Sequence, residues 1–233
     1  MSKLAIQWLG HSTFVLTTPG GRKIVTDPWL ENNPLCPPDK KRIDAADVIL
    51  LSHGHFDHTG DIVNVSRATG ATTVAVFELS LWLERKGLQN VTGMGIGGTV
   101  KVAGLEITMV PAVHTSSIVE NDTTVYLGLA AGFVVKLEDE RSFYFAGDTA
   151  LFGDMRLIAE LHTPEIAFLP IGDHFTMGPA AAAVAARLLG VRQVVPMHYG
   201  TFPVLTGRPE ELKRLVDPHG IDVLVLKPGE TAH

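Results

Sequence analysis

Alternating apolar and polar positions mark short strands at residues 4–10 and 13–18. A third strand, at 23–26, follows the turn Pro19-Gly20-Gly21. Such close spacing predicts an antiparallel meander. The pattern breaks over residues 28–38, where four prolines, two asparagines and Cys36 predict an irregular loop of the kind that often carries function. The run Val48-Ile49-Leu50-Leu51 predicts a buried strand. Residues 61–68 have weak helical character, 72–77 reads as a strand, and 80–86 as a short helix stopped by Gly87. Residues 100–102 and 105–110 predict a hairpin about Gly104. Residues 125–129 and 133–137 predict a second about Gly132, and 143–146 a further strand. Helix and strand then alternate, with helices at 155–161, 179–189 and 209–216 and strands at 166–169, 194–195 and 223–226. Gly190 stops the alanine-rich middle helix, and Pro209 suits the first turn of the last.

No stretch repeats at a fixed period and no low-complexity linker divides the chain, so one domain over residues 1–233 is expected. A strand-rich first part and an alternating last part fit an α/β (α+β) fold. The expected form is a four-layer αββα sandwich, two mixed sheets face to face with helices on both outer faces.

Composition narrows the function. Hydrophobic residues make up 45% of the 233, enough for a substantial core. The net charge is -6 and the densest basic stretch is Lys40-Lys41-Arg42, so a long nucleic acid is not an expected partner. Cys36 is the only cysteine, which excludes an intrachain disulfide and fits a reducing compartment. Met1-Ser2-Lys3-Leu4 runs straight into strand-like sequence, with no charged leader ahead of an apolar stretch. The longest apolar run, residues 125–135, is too short to span a bilayer. These features predict a soluble, cytoplasmic protein acting on a small molecule, without a membrane partner.

The chemistry concentrates in Ser52-His53-Gly54-His55-Phe56-Asp57-His58, directly after the apolar strand. If the backbone stays extended, His53, His55 and Asp57 share one face, and His58 follows where the chain turns. Imidazoles and a carboxylate suit Zn and neighbouring transition metals. One ion alone does not use four such groups. Further polar residues follow predicted strands: Asp27 after Ile24-Val25-Thr26, His114 after Val110-Pro111-Ala112-Val113, Asp148 after Phe145-Ala146-Gly147, and His198 after Val195-Pro196-Met197.

His53-x-His55-x-Asp57-His58, with Asp27, His114, Asp148 and His198 in this order, resembles the signature of the metallo-β-lactamase superfamily. Residues 8–14, 27–30 and 169–178 are similar to its small "metal-dependent hydrolase" branch, itself similar to the ascorbate-6-phosphate lactonases. The resemblance implies two divalent ions, Zn being the expected metal, with Mn, Fe and Ni also tolerated by such ligands. It gives His53, His55 and His114 to the first ion and Asp57, His58 and His198 to the second. Asp148 bridges them, and Asp27 orients a ligand from behind. It also leaves room for a homo-oligomer.

The expected activity is a binuclear metal-dependent hydrolase, in which a metal-bridging hydroxide attacks a small ester, lactone or phosphodiester and Asp57 orients the nucleophile. His11, after a strand and Gly10, is a candidate substrate contact or supporting donor. His174, in Asp173-His174, is a candidate proton donor to the leaving group. Trp29 reads either as a wall of the cleft or as the anchor of its loop. His162, His219 and His233 read as surface residues. The rival readings are a phosphodiesterase or nuclease, an oxidoreductase on the same fold, and a non-catalytic metal-binding protein. Diiron oxygen-reducing relatives typically carry Glu in place of the second histidine of the cluster, whereas His55 is kept here.

Overall fold

The computed structural model describes residues 4–233. Met1 to Lys3, which the sequence reads as leading into the first strand, lie outside the described residues. The opening meander forms as expected from β1 (Ala5–Trp8), β2 (Phe14–Thr17) and β3 (Lys23–Thr26), all antiparallel. Next come β4 (Val48–Leu50), the one-turn helix α1 (Phe56–Thr59), α2 (Ile62–Thr69), β5 (Thr72–Val76) and α3 (Phe77–Arg85). β4 lies parallel between β3 and β5, and each of its residues is buried. That placement explains its unbroken apolar run, because a strand covered on both faces has no polar side to show.

The next strands are β6 (Val91–Met94), β7 (Thr99–Val102) and β8 (Leu105–Pro111). After them come β9 (Ser117–Glu120), β10 (Thr123–Tyr126), β11 (Ala131–Lys136) and β12 (Ser142–Phe145). Here the expected hairpin about Gly132 is corrected. β10 pairs with β9 instead, turning at Asn121-Asp122, where both residues have positive φ (49° and 60°). That is the backbone a tight two-residue hairpin turn requires. Gly132 sits inside β11, between β8 and β12. A Cβ there would press within 2.9 Å of the Phe145 carbonyl oxygen, so the glycine permits close strand approach and makes no turn.

The chain ends with α4 (Met155–His162), β13 (Ile166–Pro170), α5 (Pro179–Leu189), β14 (Gln193–Met197) and α6 (Pro209–Val216). Two short strands complete it: β15 (Asp222–Val223), briefer than the expected 223–226, and β16 (Thr231–Ala232), which the sequence reading lacks, as it lacks β6.

Two seven-stranded sheets result, in the orders β16-β1-β2-β3-β4-β5-β6 and β7-β8-β11-β12-β13-β14-β15. Strand directions repeat between them. From the first-named edge, each sheet has three antiparallel pairings followed by three parallel ones. The sheets meet face to face: the rings of Phe14 on β2 and Phe168 on β13, both fully buried, lie 5.0 Å apart. α3 packs on β5 and β6, while α5 packs on β13 and α6 on β15, which completes the layered arrangement. Among the described residues, no helix is long and apolar enough to cross a membrane.

Candidate metal centre

The strand directions bring the polar residues together. In the first sheet β1, β3 and β4 run the same way, and their C-terminal ends lead to His11, Asp27 and the 53–58 segment. In the second sheet β8, β12, β13 and β14 share a direction and lead to His114, Asp148, Asp173-His174 and His198. Several residues pay backbone strain to reach the centre. His11, Asp27 and His198 have φ of 56°, 36° and 55°, a region L-residues seldom occupy and which is concentrated at functional sites.

The expected extended path through 53–58 holds only in part. β4 stops at Leu50, and from Phe56 the chain turns into α1, so Asp57 and His58 come from a helical first turn. Two clusters result. His53, His55 and His114 each aim one ring nitrogen at a common point, the three atoms lying within 4.8 Å of one another. A second cluster joins Asp57, His58 and His198, and within the same limit His11. Asp148 stands between them. Its Oδ2 lies 3.9 Å from His53 Nε2 and 3.6 Å from His114 Nε2 on one side. On the other it lies 3.3 Å from His58 Nε2 and 2.9 Å from His198 Nε2.

Behind the clusters, Asp27 sets two tautomers at once. Its Oδ1 accepts the Ser52 backbone N–H at 2.8 Å, and its Oδ2 accepts the Ser52 hydroxyl at 2.6 Å. Oδ2 also accepts His58 Nδ1–H at 2.7 Å, so Nε2, which faces Asp148, is the nitrogen that a cation would reach by displacing the second ring proton. With its proton committed to Asp27, Ser52 Oγ accepts from His53 Nδ1 at 2.9 Å, and His53 Nε2 is freed. One carboxylate thus orients a histidine in each cluster. Ser52 is not a candidate in the sequence reading, although it adjoins the motif.

His11 is fully buried, which excludes direct substrate contact. Its Nε2 holds Asp57 Oδ2 at 3.0 Å and its Nδ1 meets Thr201 Oγ1 at 2.8 Å. Burial and the neighbouring His198 push the His11 pKa down to about 3, so the ring is neutral and Nε2–H donates to Asp57. Thr201 also escapes the sequence reading.

The electrostatics favour a bound cation. Burial lowers the pKa of His53, His55 and His114, which keeps these imidazoles neutral and able to ligate. Burial opposes ionisation of Asp148 and Asp57 too. Even so His198 and His58 hold Asp148 well below the carboxylate range, and His58 and His11 do the same for Asp57. At His58 burial is overcome by Asp148, Asp27 and Asp57, which raise its pKa well above the imidazole value. Three carboxylates therefore stabilise positive charge at one buried spot. His58 Nε2, both ring nitrogens of His198 and Asp148 Oδ1 are buried without a hydrogen-bond partner. Orphaned groups of this kind are costly, and divalent ions would satisfy His58 Nε2 and His198 Nε2, which face Asp148, so the residues present fit a metal.

A cleft of about 560 Å³ opens over the centre, with His55, Asp57, His114, Asp148 and His198 at its base. Phe56, Phe175, Phe202, Pro203 and Val204 form its apolar wall. Trp29 is buried and stacks on Phe202, with centroids 5.8 Å apart, so it anchors the 28–38 loop beneath the wall. The structure does not bring His174 into the cleft lining. It is exposed, its backbone N–H donates to Asp173 Oδ1 at 2.9 Å, and its ring lies edge-on to Phe175 at 4.4 Å. His219 and His233 are exposed as expected, and His162 is half-buried.

Known proteins are similar to this chain over nearly its whole length. The family described as the beta-lactamase superfamily domain matches residues 22–199. A UPF0173 metal-dependent hydrolase of Koribacter versatilis is 49% identical, over 98% of this chain and 97% of its own length. Another, of Rubrobacter xylanophilus, is 52% identical, over 97% of this chain and 94% of its own. Among solved structures Igni18, a metallo hydrolase from the archaeon Ignicoccus hospitalis, superposes with a TM-score of 0.87 at 38% identity, covering 98% of this chain and 97% of that one. The chain therefore belongs to the metallo-β-lactamase superfamily, in the branch of metal-dependent hydrolases.

Proposed function

We propose that the centre holds two divalent ions and hydrolyses a small ester, lactone or phosphodiester within one domain spanning residues 1–233. His53, His55 and His114 would hold one ion, Asp57, His58 and His198 the other, and Asp148 both. The observation that carries this reading is Asp148 Oδ2, which lies within 3.9 Å of Nε2 on four histidines drawn from both clusters. Zn is the expected metal, with Mn, Fe and Ni compatible with the same ligands. When bound, such ions supply Lewis acidity, polarising a carbonyl or phosphoryl oxygen and bringing the pKa of water from near 16 to roughly 7.

The chain's own residues supply position. Asp57 and Asp148 are the carboxylates in the cleft lining. Asp57 stays ionised, so it accepts a hydrogen bond from the attacking water and fixes its direction. His11, braced by Thr201, fixes Asp57 in turn and acts as a positioning residue. Free, buried Cys36 and the absence of a spanning helix among the described residues are consistent with a cytoplasmic setting.

The test is to strip the protein with a chelator and assay a panel of esters, lactones and phosphodiesters before and after restoring metal. Hydrolysis should vanish and return. Full hydrolysis by the metal-free protein would contradict the reading.

A further inference from the structure

We infer that the substrate carries an uncharged, apolar group beside the bond that is cut, as an alkyl or aryl ester or lactone does, and that phosphorylated lactones and other substrates with an anion on that group are poor substrates. This rests on the hydrolase reading above and narrows it. Beyond the ligand cluster the wall is Phe56, Phe175, Phe202, Pro203 and Val204, with Thr115 the one other polar side chain. No Lys or Arg lines the cleft among the described residues. A phosphate or carboxylate on the non-reacting part of a substrate would be desolvated against these rings with no counter-charge, which is strongly unfavourable.

The apolar side chains are also displayed. Phe56, Phe175 and Val204 are 59%, 53% and 43% exposed, so they are not there to fill the core. Grouped apolar exposure at the rim of a concave site marks a binding surface. The phenylalanine rings favour flat or edge-on contact with an aryl or alkyl group. In the reaction, the oxygen of water bonds to the carbonyl carbon. The ester C–O bond breaks with its electron pair going to the alcohol oxygen, which takes one water proton, and the second proton is released as the acid ionises. The acid product thus carries a charge the substrate lacked, and the wall has no cation to retain it.

A matched pair tests the inference on the metal-loaded protein: p-nitrophenyl butyrate against p-nitrophenyl hemisuccinate, with p-nitrophenyl acetate alongside. The butyrate should exceed the hemisuccinate at least tenfold in kcat/KM. Going from acetate to butyrate should gain up to about fourfold per methylene. Phe175→Ala and Phe56→Ala should each shrink that gain in kcat/KM. Binding to metal-free protein gives a second readout. By calorimetry, 1-phenyl-1-pentanone should bind at least tenfold more tightly than 4-phenylbutyrate, and Phe175→Ala should weaken it. Equal or better use of the hemisuccinate, with metal dependence intact, overturns this inference and leaves the two-metal reading standing. So does indifference of the metal-free protein to ligand charge. Hydrolysis that survives metal removal overturns the underlying reading instead.

Discussion

Asp27 reaches both clusters from behind, because it fixes His58 directly and His53 through Ser52. Asp27→Asn puts an amide where two donors converge, and metal affinity should fall about 10- to 100-fold at both ligand clusters. Competition titration with a chelator measures this, and a loss confined to one cluster would contradict the shared role. His11 gives a pH signature. Its pKa is 6.5 when unfolded and about 3 when folded, so between these values only the unfolded chain takes up the proton. Its contribution to stability is therefore present above 6.5 and lost as pH falls toward 3. In metal-free protein, His11→Gln should show a shallower fall of Tm across that window than the parent. The metal candidates were legible in the sequence because each follows an apolar strand. Ser52 and Thr201 were not, since hydroxyl residues are common and only distance distinguishes a braced one. His11 was legible as a candidate, but its burial was not.

At the scale of elements, the turn from β4 into α1 does the positioning. A Cβ on Gly54 would lie 2.6 Å from Leu127 Cδ1 and 3.1 Å from its Cβ, so this glycine lets the 53–58 segment lie against the connection between β10 and β11. Gly54→Ala should cost about 1–3 kcal/mol by denaturant unfolding, with partial recovery when combined with Leu127→Ala. Recovery would show that the clash, and not a backbone requirement, sets the cost. The elements that the sequence misplaced share a physical cause. Gly132 carries the same local signal whether it turns a chain or admits a neighbouring strand, and only the pairing of β11 decides. β6 contains Gly93, and β15 and β16 are two residues each, too short for any periodicity to register.

At the scale of the molecule, two sheets with the same succession of strand directions aim their ligand-bearing ends at one point. That duplication is absent from the sequence, which shows no fixed-period repeat. The likeness lies in topology alone, because strand direction and pairing constrain side-chain identity only loosely. The face-to-face packing was legible as a layer order, but the contact of Phe14 with Phe168 was not. Phe14→Ala should destabilise by about 3–5 kcal/mol without altering metal stoichiometry, as read by urea unfolding and elemental analysis. Core and centre are thus separable, and the number of ions is what defines the centre. Native mass spectrometry of the reconstituted protein counts them directly. It should find two per chain in the parent and one in His114→Ala, which removes a ligand from one cluster alone. One ion per chain in the parent, at saturating metal, would contradict the two-metal centre.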